Sequence, residues 1–298
     1  MGYGKYSDTA YREFATKSAA TPRHELFHRG TKDAPVRSGQ EVNIEKIKYR
    51  ESRDSADHPC STPLMVGLDV TGSMGMIPEY MVKEGLGPFV GQTLQRKPIT
   101  DPHLLFMAIG DATQRDEQPL QATQFESDNC IVDQLTDLYL EGGGGGNHFE
   151  SYDLAWAFAA YRTRTDAWEK RQAKGYLFTI GDECFPGETS ESYLRKIFGA
   201  DCPQSPSPDS LLAAAQERYH VFHVIIAEGN YCRGDGLQRA TASWREKLQK
   251  RALVIDNYRR TAELLVSAMA VNEGMPVGDV LDWWSQDVAG VVAKALGA

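Results

Sequence analysis

Residues 67–75 read GLDVTGSMG. With Leu64-Met65-Val66 before them, they form an apolar run that ends abruptly at a carboxylate, Asp69. Two hydroxyls, Thr71 and Ser73, follow at alternate positions, and Gly72 and Gly75 let the chain turn at once. A continuous apolar strand is buried on both faces, the mark of a parallel sheet covered by helices. Ligands of such sheets bind outside the carboxyl ends of the strands. Asp69, Thr71 and Ser73 therefore stand where a site is expected, and hard oxygen donors of this kind suit Mg²⁺, Mn²⁺ or Ca²⁺. A helix cap alone would need Asp69 but neither hydroxyl.

Four further runs have the same character: LLFMAIG (104–110), GYLFTIG (175–181), VFHVIIA (221–227) and ALVIDN (252–257). Amphipathic stretches lie between them, at 80–94, 128–140, 150–163, 211–219 and 242–252. In the second, Asp128 is placed to cap the start; in the first, Gly85, Gly87 and Pro88 weaken the helix. Alternating strands and helices predict an α/β, doubly wound, mainly parallel sheet flanked by helices. QATQF (121–125) reads as an antiparallel edge, and VLDWWSQDVAGVVAKAL (280–296) as one final amphipathic helix. The organisation expected is an N-terminal arm (1–60), one domain (61–272) and a C-terminal helix packed on it (273–298). Within the arm, Val42–Ile47 could add a strand.

The chain of 298 residues is 41% hydrophobic and carries a formal charge of −9. That charge argues against nucleic acid as the main partner. No run of about 18 apolar residues is present to span a membrane. The first residues lack the apolar segment of a secretory signal. The five cysteines are odd in number and lack CxxC spacing, so they read as free thiols in a reducing cytoplasm.

The polar residues after each strand gather at one edge of the sheet: Asp69-Val70-Thr71-Gly72-Ser73, Asp111, Asp182-Glu183 and Glu228, with GGGGGNHFES (142–151) before the third long helix. In this context D-x-T-x-S at Asp69, Thr71 and Ser73 resembles the metal-ion-dependent adhesion site of von Willebrand factor type A domains. The family form is D-x-S-x-S, so Thr71 is a mild departure. The resemblance implies a cation held also by an Asp after a later strand, matched by Asp182 in TIGDE, and by a Thr before the third helix. No Thr stands there in this chain; Glu150 or Asn147 takes the place. The match covers roughly residues 62–272.

The resemblance implies a metal-dependent protein-protein interaction module or scaffold that engages a partner protein at the cation. The chain also resembles bacterial or phage cytoplasmic members, which are often linked with MoxR-type AAA+ ATPases or serve as assembly components. No Ser/His/Asp series, GxSxG or Walker A motif is present, so the expectation is a binding protein and not an enzyme. An alternative is a haloacid-dehalogenase-like phosphotransferase with Asp69 as nucleophile, which Asp-x-Thr-Gly-Ser also resembles. Against it, Thr71 stands where soluble members carry a second Asp. A third is a structural assembly protein with an empty metal site.

Overall fold

The computed structural model describes residues 34–113, 116, 118–140 and 149–298, together with residues 5–7, 9, 13, 16, 17, 21, 22 and 27. The glycine run 142–146 and the candidate ligand Asn147 lie outside the described residues.

Among the described residues there are eight strands: β1 (Arg50–Ser52), β2 (Thr62–Asp69), β3 (Pro102–Ile109), β4 (Leu120–Ala122), β5 (Thr163–Thr165), β6 (Gly175–Gly181), β7 (Tyr219–Ile226) and β8 (Ala252–Ile255). Six of them form the central sheet in the order β4-β3-β2-β6-β7-β8. All neighbours are parallel except β3 and β4. The order from β2 outwards reverses between β2 and β6, which is the switch point of a doubly wound sheet. The five apolar runs are the five parallel strands, and the antiparallel edge is β4, which takes only Gln121 and Ala122 of the expected 121–125. β1 and β5 pair as a small parallel ribbon that the sequence pattern did not signal.

The helices are α1 (Ile77–Tyr80), α2 (Leu86–Arg96), α3 (Cys130–Thr136), α4 (Tyr152–Tyr161), α5 (Asp166–Arg171), α6 (Glu191–Phe198), α7 (Pro208–Arg218), α8 (Gly236–Leu248), α9 (Thr261–Asn272), α10 (Val277–Leu281) and α11 (Gln286–Leu296). Alternate strand residues point to opposite faces. Leu64, Val66, Phe178 and Val224 pack against α2, α3, α9 and α11, whereas Met65, Leu105, Leu177 and Val221 pack against α4, α6, α7 and α8. Helix α4 is buried on every side, with Trp156 and Phe158 at zero exposure. It is therefore a rigid stem for whatever precedes it.

Three local departures have physical causes. Between α1 and α2 the residues Met81–Gly85 form a π-helical turn, at one of the glycines that weakened the pattern. A small apolar cavity of about 40 Å³ lies beneath this turn, walled by Val66, Leu68, Met81, Gly85, Phe106 and Leu265. Val42–Ile47 makes only a single bridge, Asn43 to Gln121, instead of a strand. The Glu41 carboxylate accepts from the Val42 and Asn43 amides, and Lys46 N–H bonds back to Asn43, so the backbone turns while Ile44 and Ile47 stay buried. The expected single helix over 280–296 is two helices, α10 and α11. Trp283 and Trp284 break it: both rings lie about the Arg96 guanidinium, which donates to the Trp283 carbonyl at 2.8 Å, and Trp284 Nε1 donates to Ser267.

Candidate cation site at the carboxyl edge of the sheet

β2 delivers Asp69, fully buried, to the edge of the sheet. The next residues leave the strand with Thr71 extended and Gly72–Met74 in a 3₁₀ turn, so the loop folds back over the strand end. Asp69 Oδ1 accepts from the Thr71 amide at 2.8 Å and from its hydroxyl at 2.6 Å. The Thr71 hydroxyl lies 3.2 Å from that of Ser73, and Ser73 donates to Asp182 Oδ1 at 2.8 Å. Asp69, Thr71, Ser73 and Asp182 thus form one continuous arc of side-chain oxygens.

Close backbone approach makes the arc possible. A Cβ on Gly181 would lie 1.8 Å from the Tyr152 hydroxyl and 3.1 Å from Asp69 Cβ. A Cβ on Gly229 would lie 2.3 Å from Asp182 Cβ. The loop after β7 holds the Ser73–Asp182 end of the arc: Asn230 N–H donates to the Ser73 carbonyl, and Tyr231 N–H donates to Asp182 Oδ2 at 2.8 Å. Tyr152, at the start of α4, donates to Asp69 Oδ2 at 3.3 Å.

Glu150 lies 3% exposed just before α4, and its Oε2 accepts no hydrogen bond. Two carboxyls that sequence reasoning placed near the edge but not in the site are also buried there, Asp111 and Glu183. Asp111 repeats the geometry of Asp69: its Oδ1 accepts from the amide and the hydroxyl of Thr113, both at 2.7 Å. D-A-T at the end of the second run was the signal for it. Glu183 Oε2 is likewise without a donor. Tyr152 had no sequence signal, since a helix-start tyrosine reads as core.

The electrostatics are those of uncompensated negative charge. Burial, and then the carboxylate of Asp182, push the Asp69 carboxyl up to about 7 against the two Thr71 bonds. Burial raises Asp182 as well, opposed by Ser73 and the Tyr231 amide. Burial together with Asp69, Glu183 and Asp111 pushes Glu150 up to about 11, opposed by Thr71. Burial together with Asp69, Asp182 and Asp111 takes Glu183 to about 8. No Lys or Arg is among the main influences on any of the four. Charges buried without a partner are costly, and a bound cation is one way proteins resolve them.

Among the described residues no three His, Cys, Asp or Glu side chains form a set that could hold a metal ion. A cation at this edge would need the Thr71 and Ser73 hydroxyls in addition to Asp69 and Asp182. Such a mixed donor set fits a hard dication that keeps several waters.

No family model matches the chain, and no curated protein does. Among solved structures the chain is similar to the pilus adhesin SpaC from Lactobacillus rhamnosus GG in its open conformation, at 10% identity and a TM-score of 0.42, over 78% of this chain and 31% of that one. It is similar to a von Willebrand factor type A protein from Catenulispora acidiphila at 15% identity and a TM-score of 0.36, over 70% and 42%. It is also similar to the conserved hypothetical protein BatB from Bacteroides thetaiotaomicron at 13% identity and a TM-score of 0.39, over 70% and 99%. The chain spans less than half the length of the first two. No helix among the described residues is long and apolar enough to cross a membrane.

Proposed function

We propose that this protein is a metal-dependent interaction module of the von Willebrand factor type A kind. Asp69, Thr71, Ser73 and Asp182 would hold one divalent cation, Mg²⁺ or else Mn²⁺ or Ca²⁺, and Glu150 takes the place of the family's Thr. The observation that carries this reading is the hydrogen-bonded arc from Asp69 through Thr71 and Ser73 to Asp182, four oxygen side chains drawn together with no Lys or Arg among the main influences on the two carboxyls. A bound dication would cancel that charge and offer a coordination position to an oxygen of a partner protein. The partner is an assembly component or, by analogy alone, a MoxR-type AAA+ ATPase.

Use of Asp69 as a phosphoryl acceptor is disfavoured by its setting. It is fully buried, with Oδ1 engaged by Thr71 and Oδ2 by Tyr152. A nucleophile needs an open path to its substrate, and this carboxylate has donors on both oxygens.

Calorimetric titration of Mg²⁺ and Mn²⁺ into wild type and Asp69→Ala tests the site, and pull-downs with Mg²⁺ and with EDTA test the module. Cation binding lost in Asp69→Ala, and a partner retained only with Mg²⁺, are expected. Equal cation binding by both proteins overturns the site; a partner held equally in EDTA overturns the metal-dependent interaction.

A further inference from the structure

We propose that the hydroxyl of Tyr152 sets the cation preference of the site: it holds Asp69 to a single ligating oxygen and so favours Mg²⁺ over Ca²⁺. The inference deepens the cation reading, on which it rests, by naming the residue that selects the ion.

The two carboxylates of the arc are engaged in the same way. Asp69 turns Oδ1 to the Thr71 hydroxyl, and Asp182 turns Oδ1 to that of Ser73. In each the second oxygen is occupied by a donor outside the arc. Asp69 Oδ2 accepts from the Tyr152 hydroxyl at 3.3 Å, and Asp182 Oδ2 accepts from the Tyr231 amide at 2.8 Å. Chelating an ion with both oxygens would require the carboxyl group to turn and give up that donor. The arc therefore presents four single oxygens: Asp69 Oδ1, Thr71 Oγ1, Ser73 Oγ and Asp182 Oδ1.

Such a set discriminates by coordination. Mg²⁺ demands near-ideal octahedral geometry at about 2.0–2.1 Å and keeps several waters, so single oxygens suit it. Ca²⁺ takes about six to eight oxygens at about 2.3–2.6 Å and gains from carboxylates that chelate with both.

Tyr152 is packed so that its hydroxyl stays in place. It is fully buried, and its ring meets His223 at 4.9 Å and Trp244 at 5.4 Å, both edge to face. Those two rings stack on each other at 3.5 Å. His223 Nδ1 lies 2.8 Å from the Thr179 hydroxyl, and Trp244 Nε1 donates to the Glu183 carbonyl at 2.9 Å. Gly181 leaves the room that the tyrosine hydroxyl fills. The hydroxyl could leave Asp69 only by unpacking this cluster, and interiors packed to this density resist such motion. Of the two outer donors it is the side chain, and so the one a substitution can delete.

The test uses the full chain. Mg²⁺ and Ca²⁺ are each titrated calorimetrically into wild type and Tyr152→Phe, with thermal melting in EDTA to compare folding. The variant keeps the ring and deletes the donor. Wild type should bind Mg²⁺ at least as tightly as Ca²⁺, and in Tyr152→Phe the ratio of affinities should move toward Ca²⁺ by about tenfold, as removal of a group that orients a ligand does. A wild type that binds Ca²⁺ more tightly than Mg²⁺ overturns the assignment, whether or not the variant folds. So does an unchanged ratio in the variant, including the case in which both affinities fall by one factor, as a merely structural tyrosine would give. A wild type that binds neither ion overturns the cation reading and this one with it; a protein that binds both without preference for Mg²⁺ overturns this one alone.

Discussion

Ser73 donates its hydroxyl to Asp182 Oδ1 over 2.8 Å, and this bond ties the loop after β2 to the end of β6. Each of the two residues has a further anchor on the loop after β7, through Asn230 and Tyr231. Three chain segments therefore meet at two side chains, so that a change in one alters the donor set presented by the others.

Removing the buried charge should expose the trade between stability and binding. Asp69→Asn keeps the acceptor for Thr71 and ends the repulsion from Asp182. In EDTA this variant should be more stable than wild type by about 1–2 kcal/mol. Its Mn²⁺ affinity should be at least about tenfold lower. Calorimetric melting and Mn²⁺ titration read the two effects separately; a variant less stable than wild type in EDTA would show that Asp69 is no electrostatic burden.

The pH dependence has a definite sign. Asp69 near 7, Glu183 near 8 and Glu150 near 11 all lie above the ordinary carboxylate range. Their protons are released by the unfolded chain first, so the folded state holds more protons across the interval. Stability without metal should therefore be greatest near pH 4 and fall as pH rises through about 7 and 8, the folded values of Asp69 and Glu183, with Glu150 extending the fall further. The loss accumulates between the unfolded and folded values of the groups, which titrate as one interacting set. Mg²⁺ favours the ionised carboxylates, so its stabilising effect should grow over the same interval. Melting temperatures measured with EDTA and with Mg²⁺ at several pH values check this, and parallel curves would contradict it.

Gly229→Ala addresses the packing behind Asp182. The added methyl would meet Asp182 Cβ and its carboxyl within 2.5 Å. Overpacking of this kind costs about 1–3 kcal/mol. The displaced Asp182 should also lose its bond from Ser73, so cation affinity should fall along with stability. Far-ultraviolet circular dichroism should remain native, because the parallel strands are untouched.

Gly85→Ala should act in the opposite direction. Gly85 has right-handed helical torsions, and the nearest atoms to a Cβ there, on Met81 and the Tyr80 carbonyl, lie at ordinary contact distances of 3.5–4.0 Å. It also faces the apolar void. A gain of about 0.5–1 kcal/mol in denaturant unfolding is expected, with cation binding unchanged.

The five parallel strands were legible because buried strands are written as unbroken apolar runs, and their parallel pairing followed from the alternation with helices. Asp69 and Asp182 were legible because each ends or directly follows such a run, and Thr71 and Ser73 because they stand at alternate positions after Asp69. Glu150 was reached only by counting back from Leu154, and the lack of a donor for its Oε2 is a property of packing that no spacing reveals. Asp111 has the same local pattern as Asp69 but reads equally well as a solvated turn residue until burial is known. The break at Trp283-Trp284 was hidden because aromatic residues fit a helical stripe. Their rings instead gather about Arg96, a contact 187 positions away in the chain.

The void under Met81–Gly85 has a mechanical meaning. Its walls are almost wholly apolar, so water gains too few partners to enter, and the space stays dry. Unfolding fills such a space with solvent, and hydrostatic pressure favours whichever state occupies less volume. Compression should therefore loosen the sheet face under α1 and α2 before the face under α4, where Trp156, Phe158 and Leu154 are packed at zero exposure. The two sides of one sheet would then yield at different pressures, the compliant side being the one whose helix follows directly from the Asp69–Ser73 loop.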